Sequence, residues 1–264
     1  MGRAMTDLPV LSPATLLERL DRAHAAAPHG LVALDADGTL WSGDAGVDTF
    51  EAALAANALR PAALPRLQRE ATTYGLPLAA DATTQARIVY DAVHGGVVPE
   101  DHGFAMMAWA FAGYRAEELD AFVDSVLARN GLDARLHREL APVLAWAEAR
   151  GVPCWVVSAS PRFVIRAAVA RLGVPATRVV AMTPLVDGGG VALPELRTPL
   201  VYGPGKVAAL VEAAGDAAIL AAFGDSAFDA AMLARATVAI AVRPKPALVA
   251  LAPELPALAT LAPV

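Results

Sequence analysis

The sequence predicts an α/β fold, a parallel sheet flanked by helices, with a long helical segment inserted between two strands. Three observations predict it. Short apolar runs end abruptly in a polar residue, Ala-rich helical stretches separate these runs, and the interval from residue 44 to about residue 150 carries almost no strand signal. Strands that alternate with helices are typical of parallel sheets covered on both faces.

The predicted strands are five apolar runs, at residues 31–34, 152–157, 178–182, 218–223 and 237–242. Asp35 follows the first run, Ser158 the second and Asp225 the fourth. Because open α/β sheets bind ligands at the carboxyl ends of their strands, we expect these polar groups to meet at one edge of the sheet. Residues 184–193 predict a hairpin around Asp187 and Gly188.

The long interval between the first two predicted strands is expected to be helical. Residues 104–112 and 117–127 have the apolar spacing of helices. A connection between parallel strands needs only about a dozen residues, so the surplus predicts an inserted domain over the strand ends. We therefore divide the chain into a core of residues 1–44 and 141–264 and a helical cap of residues 45–140.

Composition and charge exclude several classes of function. The net charge of −6 in 264 residues opposes a nucleic-acid or anionic-membrane partner. A single cysteine, Cys154, excludes an intrachain disulfide and fits a reducing compartment. The first residues lack the apolar core of a signal peptide, and Met1–Thr6 meets only the loose pattern for N-myristoylation. We therefore expect a cytoplasmic protein.

Two carboxylates, Asp35 and Asp37, stand two residues apart directly after the first strand. The carboxylate of Asp35 could attack phosphorus without a base to deprotonate it. Asp37 could then protonate the leaving oxygen and later take a proton from water. The alternative is that both are solvated residues of an Asp-Gly turn.

A second acidic turn contains Asp225 and Asp229, for which helix capping is the alternative function. If this turn meets the first, two carboxylates about 4 Å apart repel by about 4 kcal/mol at an effective dielectric constant near 20. A hard divalent cation removes that repulsion and also binds phosphate. The pattern therefore predicts Mg²⁺.

Ser158 and Lys206 are the candidates for binding a phosphoryl group. Ser158 would offer its hydroxyl after the second strand, whereas Ser160 is predicted only to cap a helix. Lys206 is one of two lysines and begins a helix, where the helix dipole disfavours a cation, so we expect it to face an anion. A solvated lysine is the alternative. Arg162 is a further candidate phosphate contact.

These motifs, in this order, resemble the haloacid-dehalogenase-like (HAD) hydrolase superfamily, and the hairpin before Lys206 resembles its phosphoserine-phosphatase-like branch. The resemblance implies a Rossmann-like core with a helical cap inserted after the first motif. It also implies a role for each motif residue. Asp35 would be the nucleophile that forms an aspartyl-phosphate, and Asp37 would be the general acid and base. Thr39 and Ser158 would bind the phosphoryl group, and Lys206 would neutralise its charge. Asp225 would bind Mg²⁺ together with Asp35 and the backbone carbonyl of Asp37, and Asp229 would be an auxiliary acid.

The resemblance implies a small phosphorylated metabolite as the substrate. Asp44 lies near the place of the cap glutamate that binds the substrate amino group in that branch, but residues 106–112 contain no basic residue where the branch has an arginine. This argues against phosphoserine itself. The cap region and its entry also contain four aromatic residues, Trp41, Trp109, Phe111 and Tyr114. Aromatic ring faces can bind quaternary ammonium groups, so these residues suggest an amino-alcohol phosphate as the substrate. Packing in the core is the alternative role for the same four residues.

The sequence therefore predicts a Mg²⁺-dependent phosphatase that hydrolyses a small phosphomonoester. A phosphomutase or phosphotransferase, or a catalytically silent binding module on the same fold, remains as an alternative. The five histidines lack metal-ligand spacing and are interpreted as surface or cap residues, at positions His24, His29, His94, His102 and His137. Oligomeric state is left open.

Overall fold

The computed structural model describes residues 8–262. The amino-terminal residues, on which the signal-peptide and myristoylation expectations rest, lie outside this range. None of the described helices is long and apolar enough to cross a membrane.

The described residues form a seven-stranded sheet in which every neighbouring pair of strands is parallel. The strand order is β1-β9-β8-β7-β2-β3-β4, and β5 and β6 form a separate antiparallel hairpin. The strands are β1 (Val10–Leu11), β2 (Leu31–Leu34), β3 (Cys154–Pro161), β4 (Val179–Met182), β5 (Pro184–Val186), β6 (Ala192–Leu196), β7 (Ile219–Gly224), β8 (Val238–Ala241) and β9 (Leu258–Leu261).

Helices fill the connections between strands, and seven of those described lie between β2 and β3. The helices are α1 (Pro13–Ala26), α2 (Ala45–Ala55), α3 (Leu64–Thr73), α4 (Ala82–His94), α5 (Glu100–Trp109), α6 (Ala116–Arg129), α7 (Leu132–Arg135), α8 (Ala141–Arg150), α9 (Arg162–Val169), α10 (Pro204–Ala214), α11 (Ala230–Ala234) and α12 (Pro246–Ala250).

The sheet is buried on both faces, because side chains alternate along each strand. In β2, Val32 and Leu34 pack in one apolar cluster, which includes residues of α1, α8 and α9. Leu31 and Ala33 pack in the other cluster, with residues of α10, α11 and α12. This two-sided burial explains why the predicted strands are continuous apolar runs rather than alternating patterns.

The predicted α/β fold is confirmed, as are the five predicted strands and the hairpin near Asp187. The prediction missed β1 and β9, which lie at one edge of the sheet. The predicted cap at Ser160 places a helix start at Pro161, whereas β3 extends through Pro161 and α9 begins at Arg162. The division into core and cap domains stays a prediction.

Candidate functional site

Three neighbouring strands, β7, β2 and β3, bring the predicted site residues to one end of the sheet. Asp35 follows β2 and Asp225 follows β7, while Ser158 lies near the carboxyl end of β3. Asp35, Ser158 and Asp225 are all buried. The expected convergence at the carboxyl ends of the strands is therefore present in the structure.

Lys206 forms the centre of a buried ion network. Its Nζ lies 2.6 Å from Oδ1 of Asp35 and 2.6 Å from Oδ1 of Asp229. Lys206 is 2% exposed, and removing it from water without partners would disfavour its charged form. The two carboxylates outweigh that effect and raise the pKa of Lys206 above its ordinary value. The lysine is therefore charged, and the alternative of a solvated surface lysine is wrong.

Asp229 is held by its own turn as well as by Lys206. Its Oδ2 accepts hydrogen bonds from the backbone N–H groups of Asp225 and Ser226 and from the hydroxyl of Ser226, at 3.0–3.1 Å. The capping alternative is thus correct for this residue, because Ser226 and Asp229 form a capping box. Asp229 both caps the turn and orients Lys206.

The Asp225 carboxylate lies close to the backbone of the first motif. A Cβ on Gly38, whose φ is +81°, would be 2.1 Å from Oδ2 of Asp225, so only glycine allows this approach. Lys245 lies 2.9 Å from the same oxygen and donates its backbone N–H to the Asp225 carbonyl. Both lysines of the chain therefore contact the acidic cluster, and the second contact was missed from the sequence.

The donor set at this site fits a hard divalent cation. Asp35, Asp225 and Asp229 each offer one carboxylate oxygen, and these oxygens lie within 4.8 Å of one another. Burial, together with the charges of Asp229 and Asp225, raises the pKa of Asp35 to about 7, although Lys206 opposes this shift. A cation with oxygen ligands would relieve that repulsion. Asp229 accepts four hydrogen bonds from described residues, whereas Asp35 accepts two, so Asp35 and Asp225 keep more lone pairs for a cation and are the better ligands.

Asp37 is held in a fixed orientation by three donors. Its Oδ1 accepts hydrogen bonds from Nε1 of Trp41 at 2.8 Å and from the N–H of Ala45 at 2.6 Å. Its Oδ2 accepts one from the hydroxyl of Ser160 at 2.7 Å. Burial and the charge of Asp44 raise the pKa of Asp37 to about 7 despite these bonds. A carboxyl group with such a pKa suits proton transfer near neutral pH.

The assignment of Ser160 as a helix cap is wrong. Pro161 occupies the cap position of α9, and Ser160 is a buried residue of β3 whose hydroxyl donates to Asp37. Asp44 caps α2 by accepting a hydrogen bond from the N–H of Val47, and its Oδ1 lies 3.5 Å from the Ser160 hydroxyl. Ser160 therefore connects β3 to both acidic residues.

Thr39 and Ser158, the two expected phosphoryl ligands, are both buried. The Thr39 hydroxyl donates to Oδ2 of Asp35 at 2.8 Å, and Oγ of Ser158 accepts the N–H of Ser160 at 3.0 Å.

His137 is also buried, and its ring nitrogens lie 2.8 Å from the Thr39 carbonyl and 2.9 Å from Oγ of Ser42. Interpreting His137 as a mere surface or cap residue misses this support of the first motif.

The four aromatic residues chosen from the sequence do not form an open ammonium-binding surface. Trp41, Trp109 and Phe111 are at most 1% exposed. Arginines also cover two of the rings, with Cζ of Arg66 4.5 Å from the ring centre of Trp109 and Cζ of Arg60 3.8 Å from that of Tyr114. The core-packing alternative is correct for these residues.

A different aromatic group, two of whose members are close in the chain to Lys206 and Asp229, was missed. Phe104 of α5, Tyr202 and Phe228 are each half-buried, with ring centres 4.6–6.5 Å apart. Phe228 directly precedes Asp229, and Tyr202 comes four residues before Lys206. The order of these residues in the chain gave no signal that α5 would meet the other two.

Arg162 is not placed with the carboxylates. Its Nε and Nη2 donate to the carbonyls of Val179 and Ala176, at 3.2 and 2.8 Å, and the side chain lines a cavity beside β4. Arg162 is the first residue of α9, and from that position its side chain could extend either toward Ser158 or toward β4. The sequence alone does not distinguish these two directions.

Comparisons with known proteins agree with this architecture. A protein of unknown function from Bordetella pertussis Tohama I superposes with a TM-score of 0.64 at 20% identity, over 88% of this chain and 97% of that one. A HAD family hydrolase from Salmonella enterica serovar Typhi gives 0.55 at 20% identity, over 87% and 67%. A phospho-aspartyl intermediate analogue of phosphoserine phosphatase gives 0.50 at 16% identity, over 88% and 92%. A search of curated protein sequences gave no significant match.

At these identities the solved structures establish the fold alone. A family model described as haloacid dehalogenase-like hydrolase matches residues 32–234, which extend from β2 to the end of α11 and include the carboxylate cluster, Asp37, Ser158 and Lys206. The chain belongs to the haloacid dehalogenase-like hydrolase family.

Proposed function

We propose that this hydrolase is a Mg²⁺-dependent phosphatase that cleaves a small phosphomonoester through an aspartyl-phosphate. The observation that carries the proposal is the buried Lys206, held between Asp35 and Asp229 beside Asp225 at the carboxyl ends of the strands. A cluster of this kind is costly to bury, and such clusters are concentrated at functional sites.

In the first step, a carboxylate oxygen of Asp35 forms a bond to phosphorus as the bond from phosphorus to the ester oxygen breaks. Asp37 donates its proton to the departing oxygen. In the second step, Asp37 takes a proton from water, the water oxygen attacks phosphorus, and Asp35 is released with inorganic phosphate. The three hydrogen bonds that fix Asp37 support this double role, because one carboxyl must serve both steps from one position.

The transferred phosphoryl group carries negative charge, and positioned donors stabilise it. Thr39, Ser158 and Lys206 would supply a hydroxyl, a second hydroxyl and a cation. Asp35, Asp225 and the backbone carbonyl of Asp37 would hold Mg²⁺, which supplies further positive charge to the phosphoryl oxygens. Asp229 would keep Lys206 in place.

We also propose that residues 45–140 act as a cap over this site. Phe104 of α5 supports this proposal, because its ring packs near those of Tyr202 and Phe228, which precede Lys206 and Asp229 in the chain. Movement of such helices would admit substrate and then exclude bulk water.

The single buried Cys154 supports a cytoplasmic location.

The half-buried aromatic triad favours an amino-alcohol phosphate as the substrate. Phe104, Tyr202 and Phe228 offer ring faces, and burial, followed by the charges of the nearby Glu100 and Asp101, raises the pKa of Tyr202. Rings close to acidic residues attract a cationic group. We therefore expect the leaving alcohol to carry an amine or a quaternary ammonium group.

The function is tested by measuring inorganic phosphate release from a substrate panel with and without Mg²⁺. The panel contains phosphocholine, phosphoethanolamine, phosphoserine and glycerol phosphate, with p-nitrophenyl phosphate as a generic substrate. We expect Mg²⁺-dependent phosphate release, with kcat/KM for the cationic alcohols at least about tenfold above that for glycerol phosphate. Equal values for all alcohols would contradict the substrate proposal, and no hydrolysis of any would contradict the function.

The same assay separates the rival transferase. If the phosphoryl group passes to an added alcohol in place of water, product phosphorylation will be stoichiometric and little inorganic phosphate will appear. Phe104→Ala provides a further check on the triad, since it removes one ring far along the chain from the carboxylates. We expect it to reduce the preference for phosphocholine and to leave hydrolysis of p-nitrophenyl phosphate within about threefold of wild type.

A further inference from the structure

A cavity lies along the β4 edge of the sheet, and no residue of the carboxylate cluster lines it. This cavity of about 420 Å³ extends between β4, the segment that precedes α10, and the second half of α10. Its volume lies in the range of small-molecule sites, which is about 300–1,000 Å³. None of the residues proposed above for catalysis or metal binding lines it.

Two arginines in this cavity lack an acidic partner. Arg162 and Arg197 both line it, and neither forms a salt bridge with a described carboxylate, whereas the neighbouring Arg166 pairs with Asp120. Nη1 of Arg162 donates to no described residue, because only Nε and Nη2 are used. Burial lowers the pKa of Arg162, and the nearby charges of Arg166 and Arg197 lower it further.

The rest of the lining is mixed in polarity. The half-buried ring of Trp155 and the side chain of Val201 supply apolar surface, and Thr198 supplies a hydroxyl. Glu212 is the acidic residue of the lining and is exposed. Guanidinium groups bind carboxylate, sulfonate or phosphate oxygens through paired hydrogen bonds, and an indole ring packs against planar apolar groups.

We propose that this cavity binds a small organic anion with a planar apolar body. Arg162 and Arg197 hold the anionic group, and Trp155 packs against the apolar part. In a protein with a net charge of −6, two unpaired arginines in one cavity create a local positive potential that selects anions. The site is separate from the proposed phosphatase site, and its ligand is not the proposed substrate.

The test is a calorimetric titration of the intact protein with 2-naphthoate, and with its neutral amide as the matched probe. We expect one saturable site for 2-naphthoate and binding at least about tenfold weaker for the amide. Arg197→Glu should weaken 2-naphthoate at least about tenfold, and Glu212→Gln should strengthen it about twofold to fivefold. Arg69→Glu is the charge-matched control, because Arg69 is exposed and outside the cavity, and it should bind as wild type does.

Arg197 is exposed, so its replacement leaves the core intact, and circular dichroism will check the fold. Absence of saturable 2-naphthoate binding would overturn the proposal, as would equal binding of the amide or unchanged binding by Arg197→Glu. The titration contains no phosphoester, so its result is independent of whether the chain is a phosphatase. Phosphatase activity of Arg197→Glu should equal that of wild type.

Discussion

The contact between Gly38 and Asp225 makes Gly38→Ala a sensitive probe of the site. The new Cβ would lie 2.1 Å from Oδ2 and 2.6 Å from Cγ of Asp225, whereas ordinary contacts begin near 3.4 Å. The carboxylate must therefore move by roughly 1 Å, or the Gly38 backbone must move by a similar amount. Displacements of about 1 Å at a catalytic site can reduce rates about 100-fold.

The substitution also strains the backbone, and that effect must be measured separately. Gly38 has a φ of +81°, and a residue with a Cβ in the left-handed region costs about 1–2 kcal/mol. Gly190→Ala is the matched control, because Gly190 has a φ of +76° and no atom lies within 4 Å of the place that its Cβ would take. Gly190→Ala should lose about 1–2 kcal/mol of free energy of unfolding, and Gly38→Ala should lose at least as much, the excess being the cost of the clash with Asp225.

The assay is hydrolysis of p-nitrophenyl phosphate as a function of Mg²⁺ concentration. We expect Gly38→Ala to lose about 100-fold in kcat/KM and to need more Mg²⁺ for half-maximal activity, while Gly190→Ala keeps both values. The reasoning is refuted if Gly38→Ala, correctly folded, matches Gly190→Ala in rate and in Mg²⁺ dependence. Asp225 would then have no role in activity that depends on its position.

Three further predictions concern charge and protonation. Lys206→Met leaves two buried carboxylates without their cation and should lower the free energy of unfolding in urea by about 3–5 kcal/mol. Lys245→Met, whose side chain is 63% exposed, should lower it by less than about 1 kcal/mol. Equal losses would contradict the ion network. Folding raises the pKa of Asp35 from 3.8 to about 7, so the folded state binds more protons than the unfolded state between these pH values. Thermal stability in the presence of chelator should therefore fall as the pH rises from about 4 to about 7. The pH dependence should be flatter for Asp35→Asn. Ser160→Ala removes a hydrogen bond that lowers the pKa of Asp37, so the descending limb of the pH–kcat profile should move to higher pH. Ser160→Thr keeps the hydroxyl and should leave that limb in place. A shift in both variants, or in neither, would argue against Asp37 as the acid.

The sequence predicted those features that depend on short-range pattern. The strands are predictable because burial on both faces requires continuous apolar runs, and Asp35 and Asp225 are predictable because they end two such runs. β1 was missed because it has only two residues, and β9 because its segment is rich in proline. Short edge strands are fixed by their neighbours rather than by their own composition.

Side-chain partners across the chain were the least predictable feature. A serine before a proline has the local signature of a helix cap, and the true partner of Ser160 is Asp37, 123 residues away. The two lysines were conspicuous by rarity, yet only Lys206 stands in a recognised motif, so the contact of Lys245 with Asp225 gave no signal. For the aromatics, residue type alone could not separate the buried Trp109 from the half-buried Phe104 on the same helix.

The most direct test of the proposed mechanism is hydrolysis of p-nitrophenyl phosphate by wild type and by Asp35→Asn. Lys206 keeps its contact with Asp229 in this variant, and Asp216→Asn, with its side chain 83% exposed, is the control. We predict a loss of at least about 1,000-fold for Asp35→Asn, no loss for Asp216→Asn, and a comparable loss for wild type after chelation that added Mg²⁺ reverses. Undiminished activity of Asp35→Asn, or full activity of wild type after chelation, would contradict the mechanism.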